Sequence, residues 1–337
     1  MNLFVCLRPN HVLKAMLWSY HNGKNDDLFV VAIDEIPEMK VISERMSSNG
    51  FRVKNIKLLE INSKLINSKE KIKSLFKLPF CNRIIRKYLN IDIRLILEEP
   101  VKHLYLFYDQ NFVSNFFLQS FYKGGSEVHL IEDGSANYKV PTRPFKKNYR
   151  FLAGIFPLGY NPKIKSIYLF QPKSYKGLFK KKVRLLDEKY INFTLNEVFD
   201  KKIKNVFMPN FPDKKKFDDK ILVILTQPLD KLKIISKGQQ HEIYEKISKA
   251  YGGTCFIKKH PQDKNSYSSF SSYELPGEIP FEIIAKLFPK GSYFVTLYSS
   301  TILGEGYNLI KLIDPNSGSI EKQVLSLLND DLSRIFD

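Results

Sequence analysis

A chain of 337 residues with 43% hydrophobic positions, 26 Phe and 18 Tyr carries enough apolar surface for two cores, which argues against general disorder. Its 53 Lys plus Arg against 35 Asp plus Glu give a net charge of +18, which favours an anionic partner without saying which kind. The three cysteines, Cys6, Cys81 and Cys255, lie in or beside apolar runs, lack metal-ligand spacing, and read as small buried hydrophobes in a reducing cytoplasm.

Taken in chain order, short apolar runs alternate with helix-like stretches, the pattern of parallel α/β units. Strands are expected over 3–7, 28–33, 53–59, 103–108 and 127–131, with helices over 11–21, 39–48 and 111–122 between them. A second series has strands over 221–225, 254–257, 293–297 and 309–313, and helices over 241–251 and 281–288 and from 300 to 307. A final helix is expected over 320–336 and could cross back onto the first domain. The prolines and charges of 209–219 suit a linker, which divides the chain into an acceptor-side domain over 1–208 and a nucleotide-sugar domain over 220–316, with 317–337 as the last helix. The fold class expected is α/β, two Rossmann-like parallel domains facing a central cleft. The first residues lack a charged leader and a long apolar core, and every apolar run is broken by a charge well short of the roughly 20 residues that span a bilayer.

Three polar signatures end three of the strands, where open α/β sheets place their ligands. Glu132-Asp133-Gly134 offers two carboxylates on a turn; like-charge repulsion can raise one of them into a general base, while the plainer reading is a turn capped by Asp133. Lys258-Lys259-His260-Pro261 sets an imidazole among cations, suited to donating a proton to a departing phosphate. Ser299-Ser300-Thr301 stands where a strand passes into a helix, as a phosphate site or an ordinary N-cap. His11, opening the first helix, is a lesser candidate; His21, His103, His129 and His241 read as structural. Walker loops, dinucleotide glycine patterns, nucleophile elbows and zinc-protease helices are absent from the sequence.

Together these signatures resemble the acid-acid-Gly, His-Pro and Ser-Ser/Thr motifs of bacterial sialyltransferases, and the chain is most similar to glycosyltransferase family 52 over about 100–310. The resemblance implies two nucleotide-binding-like domains (GT-B type), no catalytic metal and no cofactor beyond the donor substrate, CMP-sialic acid. It implies that His260 protonates the leaving phosphate, that Ser299 and Ser300 hold it, that Lys258 and Pro261 lie by the nucleotide, and that Glu282 takes the ribose hydroxyls. Asp133 would be the base, with Asp230, just after the first strand of the second domain, as its rival.

The function expected is inverting transfer of sialic acid to a terminal galactoside of a bacterial surface glycan, lipooligosaccharide or capsule. Two alternatives stand beside it: a transferase using another nucleotide sugar, and a non-catalytic polysaccharide-assembly protein. The partners expected are the nucleotide sugar and the glycan acceptor, not nucleic acid. Basic stretches at 69–87, 143–150 and 180–184 leave open a peripheral contact with an anionic membrane from the cytoplasmic side, and a homodimer is also left open.

Overall fold

The computed structural model describes residues 1–23, 26–36, 38–67, 85–133, 159–177, 179–187, 197–208, 221–260, 262–275, 277, 279–297, 308–314 and 318–336. The chain divides into two compact units, Met1–Pro209 and Asn210–Asp337. The expected linker, the 300–307 helix start and most of the 69–87 and 143–150 basic stretches lie outside the described residues.

The first unit is built on seven described parallel strands: β1 (Asn2–Cys6), β2 (Leu28–Ala32), β3 (Arg52–Ile56), β4 (His103–Leu106), β5 (Glu127–Ile131), β6 (Ile164–Leu169) and β7 (Val183–Leu185). Their order is β3-β2-β1-β4-β5-β6-β7. Between them run α1 (Pro9–His21), α2 (Glu38–Ser48), α3 (Leu58–Asn67), α4 (Ile91–Ile96) and α5 (Phe112–Lys123); α6 (Glu197–Phe207) follows β7 and packs on α2. The central strands β1 and β2 are buried at every position, as a parallel sheet covered on both faces requires. Alternation then sorts the side chains. Leu3, Val5, Leu28, Val30, Leu104, Leu106, Val128 and Leu130 enter one aliphatic core. On the opposite face Phe4 stacks on Phe29 at 5.4 Å and on Tyr105 at 4.8 Å, and Tyr105 stacks on His129 at 5.0 Å. Trp18 of α1 closes over this row, 5.0 Å from Tyr105 and 4.8 Å from Tyr168. Such ring pairs contribute about 0.5–1.5 kcal/mol each beyond the area they bury.

The second unit has five described parallel strands, β8 (Ile221–Leu225), β9 (Thr254–Lys258), β10 (Tyr273–Leu275), β11 (Tyr293–Thr296) and β12 (Asn308–Lys311), ordered β10-β9-β8-β11-β12. Its helices are α7 (Lys237–Tyr251), α8 (Phe281–Leu287) and α9 (Ile320–Asn329). A capping box between Ser236 and Gln239 starts α7 four residues earlier than expected, and Gly252 stops it at φ 68°.

The last helix is shorter than expected. It ends at Asn329 and belongs to the second unit, where Val324 and Leu327 pack in the aliphatic core and Lys246 of α7 donates to the Leu328 carbonyl at 2.5 Å. Beyond it Phe336 meets the rings of Tyr251 at 5.0 Å and Tyr293 at 5.4 Å. Apolar neighbours within its own unit thus hold this segment. In both sheets the strand order reverses beside the first strand of the unit, between β1 and β4 and between β8 and β11, and ligands of open α/β sheets bind outside the carboxyl ends at such points.

Candidate active site

At the carboxyl edge of the first sheet, Asp133 follows β5 and His11 lies in the first turn of α1. His11 Nε2 is 2.7 Å from Asp133 Oδ1, joining residues 122 apart in sequence. The Leu7 backbone N–H donates to His11 Nδ1 at 3.2 Å, so the imidazole proton sits on Nε2 and is given to the carboxylate. Burial pushes the His11 pKa down, against the pull of Asp133, which fits a neutral ring stacked on Phe107 at 4.7 Å. Asp133 also accepts from Arg8 Nη1 at 3.3 Å and from Asn10 Nδ2 at 3.4 Å.

Asp133 is not the raised carboxylate that the pairing with Glu132 suggests. Burial does push Asp133 upward, but the contacts from His11, Arg8 and Lys14 outweigh it and hold the carboxyl well below its usual range. Glu132 Oε2 accepts the Phe170 N–H at 2.8 Å, and Lys14 Nζ donates to the Glu132 carbonyl at 2.8 Å. Gly134 lies outside the described residues.

Two further acids on this edge escaped the sequence reading. Asp109, just past β4, is 3% exposed; it accepts the Gly159 N–H at 3.2 Å, and burial pushes its pKa up to about 7. Glu35, past β2, lines a concavity with Leu7, Arg8, Leu58, Tyr108 and Asn111, and its pKa is raised by burial against the opposing pull of Arg8. The signal for both was position: each is an acid in the loop leaving a central strand.

At the carboxyl edge of the second sheet, His260 lies two residues beyond β9. Its N–H donates to Thr226 Oγ1 at 3.0 Å, and the Thr226 N–H donates to the Lys258 carbonyl at 3.0 Å, so the ends of β8 and β9 are laced together. The Gln262 N–H donates to His260 Nδ1 at 3.1 Å, which puts the proton of the neutral ring on Nε2. Asp230, five residues beyond β8, accepts from Asn265 Nδ2 at 3.3 Å, and its N–H donates to Gln240 Oε1 at 3.0 Å.

Lys258, expected beside the nucleotide, is 6% exposed and its ammonium donates to the carbonyls of Lys259 at 2.8 Å and Gly277 at 2.9 Å. It therefore ties β9 to the segment that leads into α8, whose first turn carries Glu282. Pro261, Ser299 and Ser300 lie outside the described residues. Thus Asp230, Lys258, His260 and Glu282 share one unit, while Asp133 belongs to the other.

Solved structures with related folds include a UDP-N-acetylglucosamine 2-epimerase from Listeria monocytogenes, 10% identical, with TM-score 0.54 over 99% of this chain and 89% of that one. The UDP-GlcNAc 2-epimerase of Methanocaldococcus jannaschii gives TM-score 0.47 at 10% identity, covering 100% of this chain and 94% of that one. The spinosyn rhamnosyltransferase SpnG gives 0.48 at 12% identity over 89% and 76%. The two parallel-sheet units and the likeness to the Listeria structure give the chain a GT-B fold. No curated protein sequence matches the chain. The sequence profile of Glycosyltransferase family 52 matches residues 41–306, well over half of the chain, and the protein with this pair of strand-end sites belongs to that family of glycosyltransferases.

Proposed function

We propose that this glycosyltransferase is an inverting, metal-independent sialyltransferase that moves sialic acid from CMP-sialic acid to a terminal galactoside of a bacterial surface glycan, lipooligosaccharide or capsule. The observation that carries the reading is His260, a strand-end imidazole whose Nδ1 accepts a backbone N–H, which puts the proton of the neutral ring on Nε2. The anomeric carbon of sialic acid is tertiary and bears a carboxylate. Its transfer therefore passes through an oxocarbenium-like state while negative charge grows on the CMP phosphate. A proton or hydrogen bond from His260, with the hydroxyls of Ser299 and Ser300, would meet that charge without a metal, and one such donor is worth about 10²–10³ in rate.

Asp230 is the base we assign. Asp133 is held as a weakly basic carboxylate by His11, Arg8 and Asn10, whereas Asp230 shares its unit with His260 and accepts from the neutral amide of Asn265. Asp133 then organises the first-unit edge, whose concavity with Glu35, Tyr108 and Asn111 would take the acceptor sugar. Lys258 positions the approach to Glu282, which would hold the ribose. No helix among the described residues is long and apolar enough to cross a membrane. Peripheral attachment at the inner face of the cytoplasmic membrane, through the basic stretches, belongs to the same reading.

The test is CMP release from CMP-sialic acid, with and without lactose, by the wild type and by His260→Ala. Acceptor-dependent release that the substitution abolishes supports the assignment. Consumption of a different nucleotide sugar would move the donor, and absence of any turnover or CMP binding would favour the assembly-protein alternative.

A further inference from the structure

At the amino edge of the first sheet, the end opposite Asp133, three side chains converge from neighbouring strands. His103 opens β4 and Glu127 opens β5; they are direct partners across the two strands, and His129 follows two residues later on the same face. The ligand atoms form a tight triangle: His103 Nδ1 to His129 Nε2 3.2 Å, His103 Nδ1 to Glu127 Oε2 3.3 Å, and His129 Nε2 to Glu127 Oε2 3.7 Å. Ligands about 2.0–2.2 Å from a tetrahedral Zn²⁺ stand about 3.3–3.6 Å apart, so these edges are those of one face of such a tetrahedron.

The setting is built rather than incidental. The β5–β6 register shifts between Val128 and His129, where β6 carries an extra residue. That residue, Lys165, brings its ammonium to the other oxygen of Glu127 and leaves Oε2 turned to the two imidazoles. His129 is fixed by stacking on Tyr105, and its side chain is 5% exposed. The side chains of His103, 19% exposed, and Glu127, 37% exposed, leave the fourth position accessible to water. Two imidazoles and one carboxylate suit a borderline divalent cation such as Zn²⁺ rather than Mg²⁺ or Ca²⁺, which prefer all-oxygen sites.

We propose that His103, Glu127 and His129 form a site for a divalent transition-metal ion, represented by Zn²⁺, which fastens β4 to β5 at the edge of the sheet away from the transfer site. The ion is structural: it adds a bridge between strands whose covalent connection runs through α5, and it takes no part in glycosyl transfer.

The experiment uses the full chain, stripped with a chelator and titrated with Zn²⁺ alone against a chromogenic competitor. One equivalent is expected to bind. His103→Gln and Glu127→Gln, both at partly exposed positions, should each weaken binding at least about 10-fold while far-ultraviolet circular dichroism is unchanged. Co²⁺ in place of Zn²⁺ should show the visible absorption of a four-coordinate ion, lost in both variants. Absence of stoichiometric binding, or unchanged affinity in the His103→Gln/Glu127→Gln double variant, would overturn the proposal and leave the cluster a hydrogen-bonded pair of imidazoles with a carboxylate neighbour.

Discussion

The carboxyl edges of the two sheets occupy the same place in the same strand order, yet they are wired differently. In the first unit, Asp133 is ringed by His11, Arg8 and Asn10, and Glu132 is bound to the Phe170 amide. Each acid is matched to a donor, and the network holds the loops after β1, β5 and β6. In the second unit each of the holding contacts has a backbone group on one side, through Thr226, Lys258 and Gln262, while the Asp230 carboxylate accepts from the neutral amide of Asn265. The carboxyl edge of one kind of sheet can thus be held by charged side-chain pairs or by backbone groups. The hydrogen-bond partners, more than the residue types, show which.

The sharpest way to break this contrast is His260→Ala, expected to cut acceptor-dependent CMP release about 10³-fold with the melting temperature little changed. A first-edge residue should answer in stability instead, and Asp109 offers the cleanest reading. Its folded pKa is raised from 3.8 to about 7, so the native state holds its proton longer than the unfolded chain. Stability contributed by this group is full below about pH 4 and declines as pH rises to about 7, by up to about 4 kcal/mol over the window. Asp109→Asn should remove that decline in denaturant titrations run from pH 4 to 8. Next, Asp230→Asn should lower turnover about 10²-fold while CMP still raises the melting temperature. A normal rate would return the role of base to Asp133. Smallest is Asp133→Ala, which should cost about 2 kcal/mol by stranding the His11 N–H. Asp133→Asn, which keeps an acceptor for His11, should cost less. Because the folded pKa of Asp133 is depressed, its contribution is present above about pH 4 and lost as the medium is acidified further.

Much of the architecture was legible because buried parallel strands announce themselves as uninterrupted apolar runs. Leu3-Phe4-Val5-Cys6 and Ile221-Leu222-Val223-Ile224-Leu225 are such runs, and both are central strands. Strands β6, β7 and β10 and helices α3, α4 and α6 were not read. In β6 Lys165 and Ser166 interrupt the run, and β7 and β10 are three-residue edge strands too short to show a period. Strand-end position singled out His260 and Asp230 as candidates, and they do lie just beyond β9 and β8. It could not show that Lys258 would turn to the Gly277 carbonyl, or that His11 would meet Asp133, because those contacts depend on how distant loops fall. The sign of the Asp133 shift was lost for the same reason: the neighbour in sequence is Glu132, but the neighbours in space are donors.

The position of β1 in the middle of its sheet has a consequence for how the chain is made. One of its edges is covered by β2, which begins at Leu28, but the other waits for β4, which begins at His103. At about 5–20 residues per second on the ribosome, several seconds separate the synthesis of β3 from that of β4. Throughout that interval an uncharged apolar strand presents an open row of amides and carbonyls, the kind of surface on which nascent chains pair with one another. Yield on refolding should therefore fall as protein concentration rises, and slower dilution or a holding chaperone should recover it.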